Sequence, residues 1–292
     1  MIRGGPRCRL RSPAMDDTGP KQLNWRWRVI AAVIILVVRV LRWRIHVQGL
    51  EHVPARGGAV LAFNHHSYVD FMMVGWPIIR QRRRPMRFLA KREIWSSRKV
   101  GWAARWAEAI PVDRGSDSAR DAAFEAATQA LRAGDLIAVA PEQTISLSFE
   151  LLPLRTGAAR MAQQAGVPIV PVVGWGSQRA LTKGGPRRLV RKLPVTVRFG
   201  DPLHVGPEDD VVEVTEELTR RMTRLLHAAQ DTYPDGAPPG ARWVPARLGG
   251  GAPDHAEVLR GHTERERRWT GSDPLSADGE DPERLGGGAA PA

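Results

Sequence analysis

Residues 59–70 read AVLAFNHHSYVD. Ala59 to Phe63 form an apolar run of strand length. Residues just after such a strand emerge at the carboxyl edge of its sheet, where α/β proteins place their sites. Asn64, His65 and His66 occupy that position, so the histidines are candidates for chemistry. Ser67-Tyr-Val-Asp70 is a capping box, which predicts a helix starting at Ser67 and accounts for the serine. It leaves His65 unexplained. Asp70, one helical turn in, can reach back to the imidazole. A carboxylate bonded to one ring nitrogen fixes the tautomer and leaves the other nitrogen as a base.

Outward from this stretch the same alternation repeats. β-rich runs at 44–50 (RIHVQGL), 86–91 (MRFLAK), 135–141 (DLIAVAP), 167–174 (VPIVPVVG) and 195–200 (VTVRFG) are separated by helical segments. Ser118 and Asp121 make a capping box at the head of SARDAAFEAATQALRAG, and Gly134 ends that helix. Leu218, Met222 and Leu225 give a later helix its buried stripe. Strand and helix in alternation predict an α/β domain with a largely buried sheet. Pro168 and Pro171 would delete ladder bonds within a sheet, so their strand is expected at an edge or as a pocket wall. Composition sets the domain bounds: a disordered N-terminus at 1–20, a helix at 21–43, the α/β domain at 44–230, and a Gly/Pro-rich disordered tail at 234–292. Met1 and Met15 both stand as candidate starts.

The helical segment at 24–45, NWRWRVIAAVIILVVRVLRWRI, has an uninterrupted apolar core of ten residues, Val29 to Val38. Spanning a bilayer takes about 20. Trp25, Arg26, Trp27 and Arg28 on one side, and Arg39, Arg42, Trp43 and Arg44 on the other, suit a helix lying in a membrane interface. A first helix buried in the core is the competing reading.

The net charge of +12 points to an anionic partner: nucleic acid, anionic lipid or a phosphorylated small molecule. Six basic side chains and no acid lie between Pro20 and Val47, and nine between Arg80 and Lys99 are opposed only by Glu93. Both blocks adjoin the Trp/Arg-flanked helix, which favours an anionic membrane surface. Six Phe and two Tyr supply no stacking platform for nucleic acid, so none is expected as a partner. Cys8 is the sole cysteine, which excludes an intrachain disulfide and a zinc–cysteine cluster. No G-x-S-x-G elbow is present to argue for a serine hydrolase, and the eight histidines are scattered, so no metal is expected.

Three further segments share the character of the first. AIPVDRG (109–115) is an extended run ending in Asp113-Arg114, where a guanidinium can hold a phosphate bidentately. VAPEQTIS (139–146) follows a strand with Glu142 and Thr144, and GVPIVPVVGWG (166–176) is the proline-bearing strand. These four, in this order, resemble the glycerolipid acyltransferases, especially the 1-acylglycerol-3-phosphate O-acyltransferases. That family shows N-H-x-x-x-x-D, a motif ending in D-R, F-P-E-G-T-R, and V-P-I-V-P. Asn64, His65 and Asp70 fall on the first, Arg114 on the second, Pro141, Glu142 and Thr144 on the third, and Val167 to Pro171 on the fourth. FLAKREIW (88–95) is also similar. Gln143 stands where the family has Gly, and Ile145 where it has Arg.

The resemblance spans roughly residues 45–230. It implies a single mixed-sheet α/β domain flanked by helices, of the glycerol-3-phosphate acyltransferase kind. It implies His65 and Asp70 as catalytic, with Asn64, Arg114, Glu142, Gln143 and Thr144 toward the acceptor and Arg155 as a replacement for the missing arginine. The implied reaction moves an acyl group from acyl-CoA or acyl-carrier protein, a co-substrate and not a cofactor, to a lysophospholipid. The expected location is the cytoplasmic face of the cell membrane, peripheral or monotopic.

Overall fold

The computed structural model describes residues 23–98, 101–112, 117–185 and 190–269. Helix α1 (Trp25–Val40) leads into β1 (Arg44–Gln48), β2 (Ala59–Phe63) and α2 (Asp70–Pro77). Then come β3 (Met86–Lys91), α3 (Arg92–Ser96), α4 (Gly101–Trp106), β4 (Ile110–Val112), α5 (Asp117–Arg132) and β5 (Leu136–Val139). Helix α6 (Gly157–Ala165), β6 (Ile169–Trp175), β7 (Pro194–Phe199), α7 (Val211–Asp231) and α8 (His255–Trp269) complete the order.

Seven strands form one sheet in the order β1-β7-β6-β2-β5-β3-β4. Neighbours pair parallel, save β6 and β7, which run antiparallel and make the sheet mixed. Alternation along β2 shows how the layers close. Val60 and Ala62 face Ala127 and Leu131 of α5, Ala159 of α6, and Leu218 and Met222 of α7. Ala59, Leu61 and Phe63 face Val38 of α1 and Met73 and Val74 of α2. Apolar side chains on both faces explain why the strand reads as a continuous hydrophobic run.

Three expectations are corrected. The helix after β2 begins at Asp70 and not at Ser67: the Asp70 carboxylate accepts the N–H groups of His66 and Ser67, each at 2.7 Å, and winds residues 66–69 into a turn outside the helix. Strand β6 is interior, between β7 and β2, and not an edge. It tolerates Pro171 because the register places that proline one residue beyond the end of β7. There the Gly200 N–H still donates to the Pro171 carbonyl at 2.8 Å, and only the return bond is missing.

The third correction concerns the tail. Residues 234–269 are folded against the domain, with Val244 fully buried and α8 formed. Arg247 ties this segment to the domain, its Nε donating to Glu150 at 2.9 Å and its Nη2 to Gln230. The stretches at 1–22 and 270–292, which hold the rest of both expected disordered termini, lie outside the described residues.

Helix α1 replaces the expected span of 21–43. Asn24 caps it, its side chain accepting the Trp27 N–H at 3.0 Å. Trp27, Ala31 and Val38 are buried against the domain. No helix among the described residues is long and apolar enough to cross a membrane.

Candidate active site

The strand order sets β5, β2 and β6 side by side and parallel, so the loops after all three leave the sheet at one edge. Residues 64–69, 140–152 and 176–182 meet there. The loop after β2 carries the candidate base, His65, and the other two hold that loop.

His65 turns Nδ1 toward Asp70 Oδ2 at 3.2 Å, with the histidine side chain 26% exposed and the aspartate 1%. The bond fixes the proton on Nδ1 and leaves the Nε2 lone pair as the available base. A buried carboxylate needs donors to stay charged. Asp70 has four: His65 Nδ1 and the N–H groups of His66 and Ser67 on Oδ2, and the Ser177 hydroxyl on Oδ1 at 2.6 Å. Phe63 meets the His65 ring edge to face at 6.3 Å, which gives the imidazole an apolar wall.

The backbone of His65 is gripped from both ends. Its N–H donates to Glu142 Oε1 at 2.7 Å, and its carbonyl accepts the Ser146 N–H at 2.9 Å. Glu142 Oε2 accepts the Leu152 N–H at 2.9 Å. Both carboxyl oxygens therefore bind protein backbone, and Glu142 acts on His65 by holding the loop. Burial pushes its pKa up to about 8, against the pull of those two donors.

Asn64 is likewise internal. Its amide exchanges two hydrogen bonds with Gly174, accepting at 2.7 Å and donating at 3.1 Å, and so splices the ends of β2 and β6. Those bonds fix the amide's orientation. Nδ2 therefore donates to His66 Nδ1 at 3.0 Å, which puts the proton of a neutral His66 on Nε2. His66 lies between Phe149 and Trp175, fully buried, and burial pushes its pKa down to about 4 against the attraction of Asp70. The adjacent histidines thus differ: one presents a base to solvent, and the other is a neutral core residue.

Gln143 and Thr144 form the tip of the second loop. Gln143 is exposed, with a φ of +58° in the left-handed region. Ile145 is buried. Arg155 is exposed, and its N–H donates to the Pro141 carbonyl at 3.1 Å, so it stands close in the chain fold to the third motif. Arg114 lies outside the described residues. The strand that precedes it in sequence, β4, sits at the sheet edge beyond β3, on the β5 side of the site.

Ser177, one residue past the segment GVPIVPVVGWG, carries no motif that marks it in the sequence. The only available signal was its place just past a strand's carboxyl end. Among the described residues no group of three or more His, Cys, Asp or Glu is arranged to hold a metal ion.

The arrangement suits base catalysis by His65 on a hydroxyl. An acyltransferase family model matches residues 44–175. The 1-acyl-sn-glycerol-3-phosphate acyltransferase of Bacillus subtilis is 27% identical over 191 residues, covering 65% of this chain and 92% of that one. The corresponding protein of Limnanthes douglasii is 30% identical over 203 residues, 67% of this chain and 68% of its own. The crystal structure of the 1-acyl-sn-glycerophosphate acyltransferase from Thermotoga maritima has a TM-score of 0.57 at 22% identity, covering 71% of this chain and 80% of that chain. At that identity it speaks for the fold. Similarity sustained over two thirds of a relative's length, with a family model over the stretch that holds all four motifs, places the protein in the glycerolipid acyltransferase family as an O-acyltransferase.

Proposed function

We propose that the protein moves a fatty acyl group from an acyl thioester, acyl-CoA or acyl-carrier protein, to the free hydroxyl of 1-acylglycerol-3-phosphate, forming phosphatidate at an anionic membrane surface on the cytoplasmic side. The observation that carries this is the His65–Asp70 bond with Nε2 left as the base. Nε2 takes the proton from the acceptor hydroxyl as its oxygen bonds to the thioester carbonyl carbon. The tetrahedral adduct collapses, the C–S bond breaks, and the departing thiolate receives the proton from His65. Asp70 keeps the ring oriented and stabilises the imidazolium. No serine nucleophile is required, because the thioester is already activated.

The acceptor's phosphate is assigned to Arg114 with Gln143, Thr144 and Arg155. Buried Ile145, at a position where the family carries Arg, favours a second reading in which the acceptor is another lysolipid. Both are tested by one assay: labelled acyl-CoA against a panel of lysolipids in mixed micelles, with the parent, His65→Ala and Ile145→Arg. His65→Ala is expected to lose about 10²–10⁴-fold in kcat with its fold intact. A folded His65→Ala protein at parental speed would overturn the assignment of the base. Ile145→Arg is expected to improve lysophosphatidate as acceptor. If the parent prefers a different lysolipid and Ile145→Arg acylates lysophosphatidate no better, the second reading stands.

A further inference from the structure

We infer that Ser177 is a positioning residue for acyl transfer: its hydroxyl holds Asp70 in the rotation that lets the other carboxyl oxygen take His65. The inference rests on the proposed base role of His65. Asp70 Oδ2 receives three donors, all from residues 65–67 of its own loop. Those three reach one oxygen only, and all come from the stretch of chain that bears His65. Oδ1 receives the Ser177 hydroxyl at 2.6 Å, from a loop 107 residues away. With one oxygen tied to each loop, the carboxylate is pinned at two ends.

The mounting of Ser177 is rigid. Gly176, at φ +104°, makes a turn that no side chain can enter, since a Cβ there would sit 2.4 Å from the Pro194 carbonyl and 2.8 Å from the Tyr233 hydroxyl. The Gly176 N–H donates to Gln178 Oε1 at 2.8 Å. Arg179 then anchors the turn to the segment after α7. Its guanidinium donates to Tyr233 Oη at 3.0 Å and to Asp235 at 2.5 Å, and stacks 4.3 Å over the Trp243 ring. Tyr233 Oη in turn donates to the Pro194 carbonyl at 2.7 Å. On the other side the Ser67 hydroxyl donates to the Leu181 carbonyl at 2.5 Å, locking the 176–182 loop to the turn that bears Asp70. Ser177 itself is fully buried, and its hydroxyl is directed to Asp70, so its effect passes through that carboxylate.

The test is a double-mutant cycle on the full chain, with palmitoyl-CoA and lysophosphatidate as probes: parent, Ser177→Ala, Asp70→Asn and the double variant. Ser177→Ala is expected to lower kcat about tenfold, the size of one hydrogen bond to a charged group, with KM for both substrates within about twofold. In the Asp70→Asn background the same change should cost less than about twofold, because the group it acts through is gone. A folded Ser177→Ala protein at parental kcat overturns the inference. So does an equal loss in both backgrounds, which would mark Ser177 as a packing residue independent of Asp70. Ser177→Cys, nearly the same shape with a weak donor, carries the same comparison if the alanine variant melts out. If the parent transfers acyl groups and His65→Ala does too, the proposed base fails and this inference with it. If only Ser177→Ala is silent, the inference alone fails.

Discussion

Gln143 holds a backbone conformation that side chains resist. At φ +58° a non-glycine residue costs about 1–2 kcal/mol, and the family motif has glycine at this position. A left-handed turn accounts for a glycine at this position, and it makes Gln143 a source of local strain. Gln143→Gly is expected to raise the melting temperature by roughly 2 °C, the strain relief exceeding the extra chain entropy of glycine. Gln143→Val, branched at Cβ, is expected to lower it. A thermal unfolding series in which glycine is the least stable of the three would show that Gln143 contributes a contact worth more than its strain. At this scale the sequence made His65 and Asp70 readable because both sit in one short motif. It could not reveal the role of Glu142 as a brace for the His65 backbone, since a carboxylate at a strand end looks the same whether it meets substrate or N–H groups. Ser177 was hidden for a further reason: only the parallel pairing of β2 with β6 brings it beside Asp70.

Helix α1 shows two apolar faces. Trp27, Ala31 and Val38 pack inward, while Trp25, Val29, Val33, Leu36 and Val40 are between 41% and 62% exposed. At 3.6 residues per turn the five exposed residues fall within an arc of roughly 80°, on the side away from the core. Arg26 flanks that arc on one side and Arg28 and Arg39 on the other, all exposed. An apolar stripe rimmed by cations matches an anionic lipid surface, and Tyr68, Phe71 and Trp102 are further exposed apolar side chains. The core reading of this segment holds for one face, and the interface reading concerns the other, because a helix has room for two faces. Val33→Asp with Leu36→Asp is expected to lower partitioning onto phosphatidylglycerol-containing vesicles by more than tenfold, each lost apolar side chain being worth about 1.5–3 kcal/mol. The fold should be unchanged, since neither residue packs inward. Unaltered co-sedimentation would mean that the stripe does not contact lipid. The tail at 234–269 was misread for the opposite reason. Its Gly and Pro content resembles disorder, while its few anchors, Trp243 on Arg179 and buried Val244, are single residues with no periodic pattern to give them away.

Across the whole molecule, the six strand runs and their alternation with helices were legible, the central β2, β5 and β6 because a sheet covered on both faces writes itself as continuous apolar segments. Less legible is how the carboxyl end of that sheet binds global stability to pH. His66 and Glu142 are both fully buried within the same three-loop junction, and burial shifts them in opposite senses, His66 down from 6.5 to about 4 and Glu142 up from 4.5 to about 8. The depressed histidine contributes stability that is complete above pH 6.5 and is lost as pH falls through about 4, where the folded state must accept a buried charge. The raised carboxyl contributes stability that is complete below 4.5 and is lost as pH rises through about 8. Between 4.5 and 6.5 the contributions of these two groups have slopes of opposite sign and offset each other. His66→Phe, which keeps a ring between Phe149 and Trp175, removes the first slope and leaves the second. The stability of the parent relative to this variant should therefore rise between pH 4 and 6.5 by about 3 kcal/mol and stay constant above it, as read from urea unfolding at half-unit pH intervals. A difference that does not change across that interval would show that His66 titrates alike in the folded and unfolded chain, and that its neighbours and not its burial govern the imidazole.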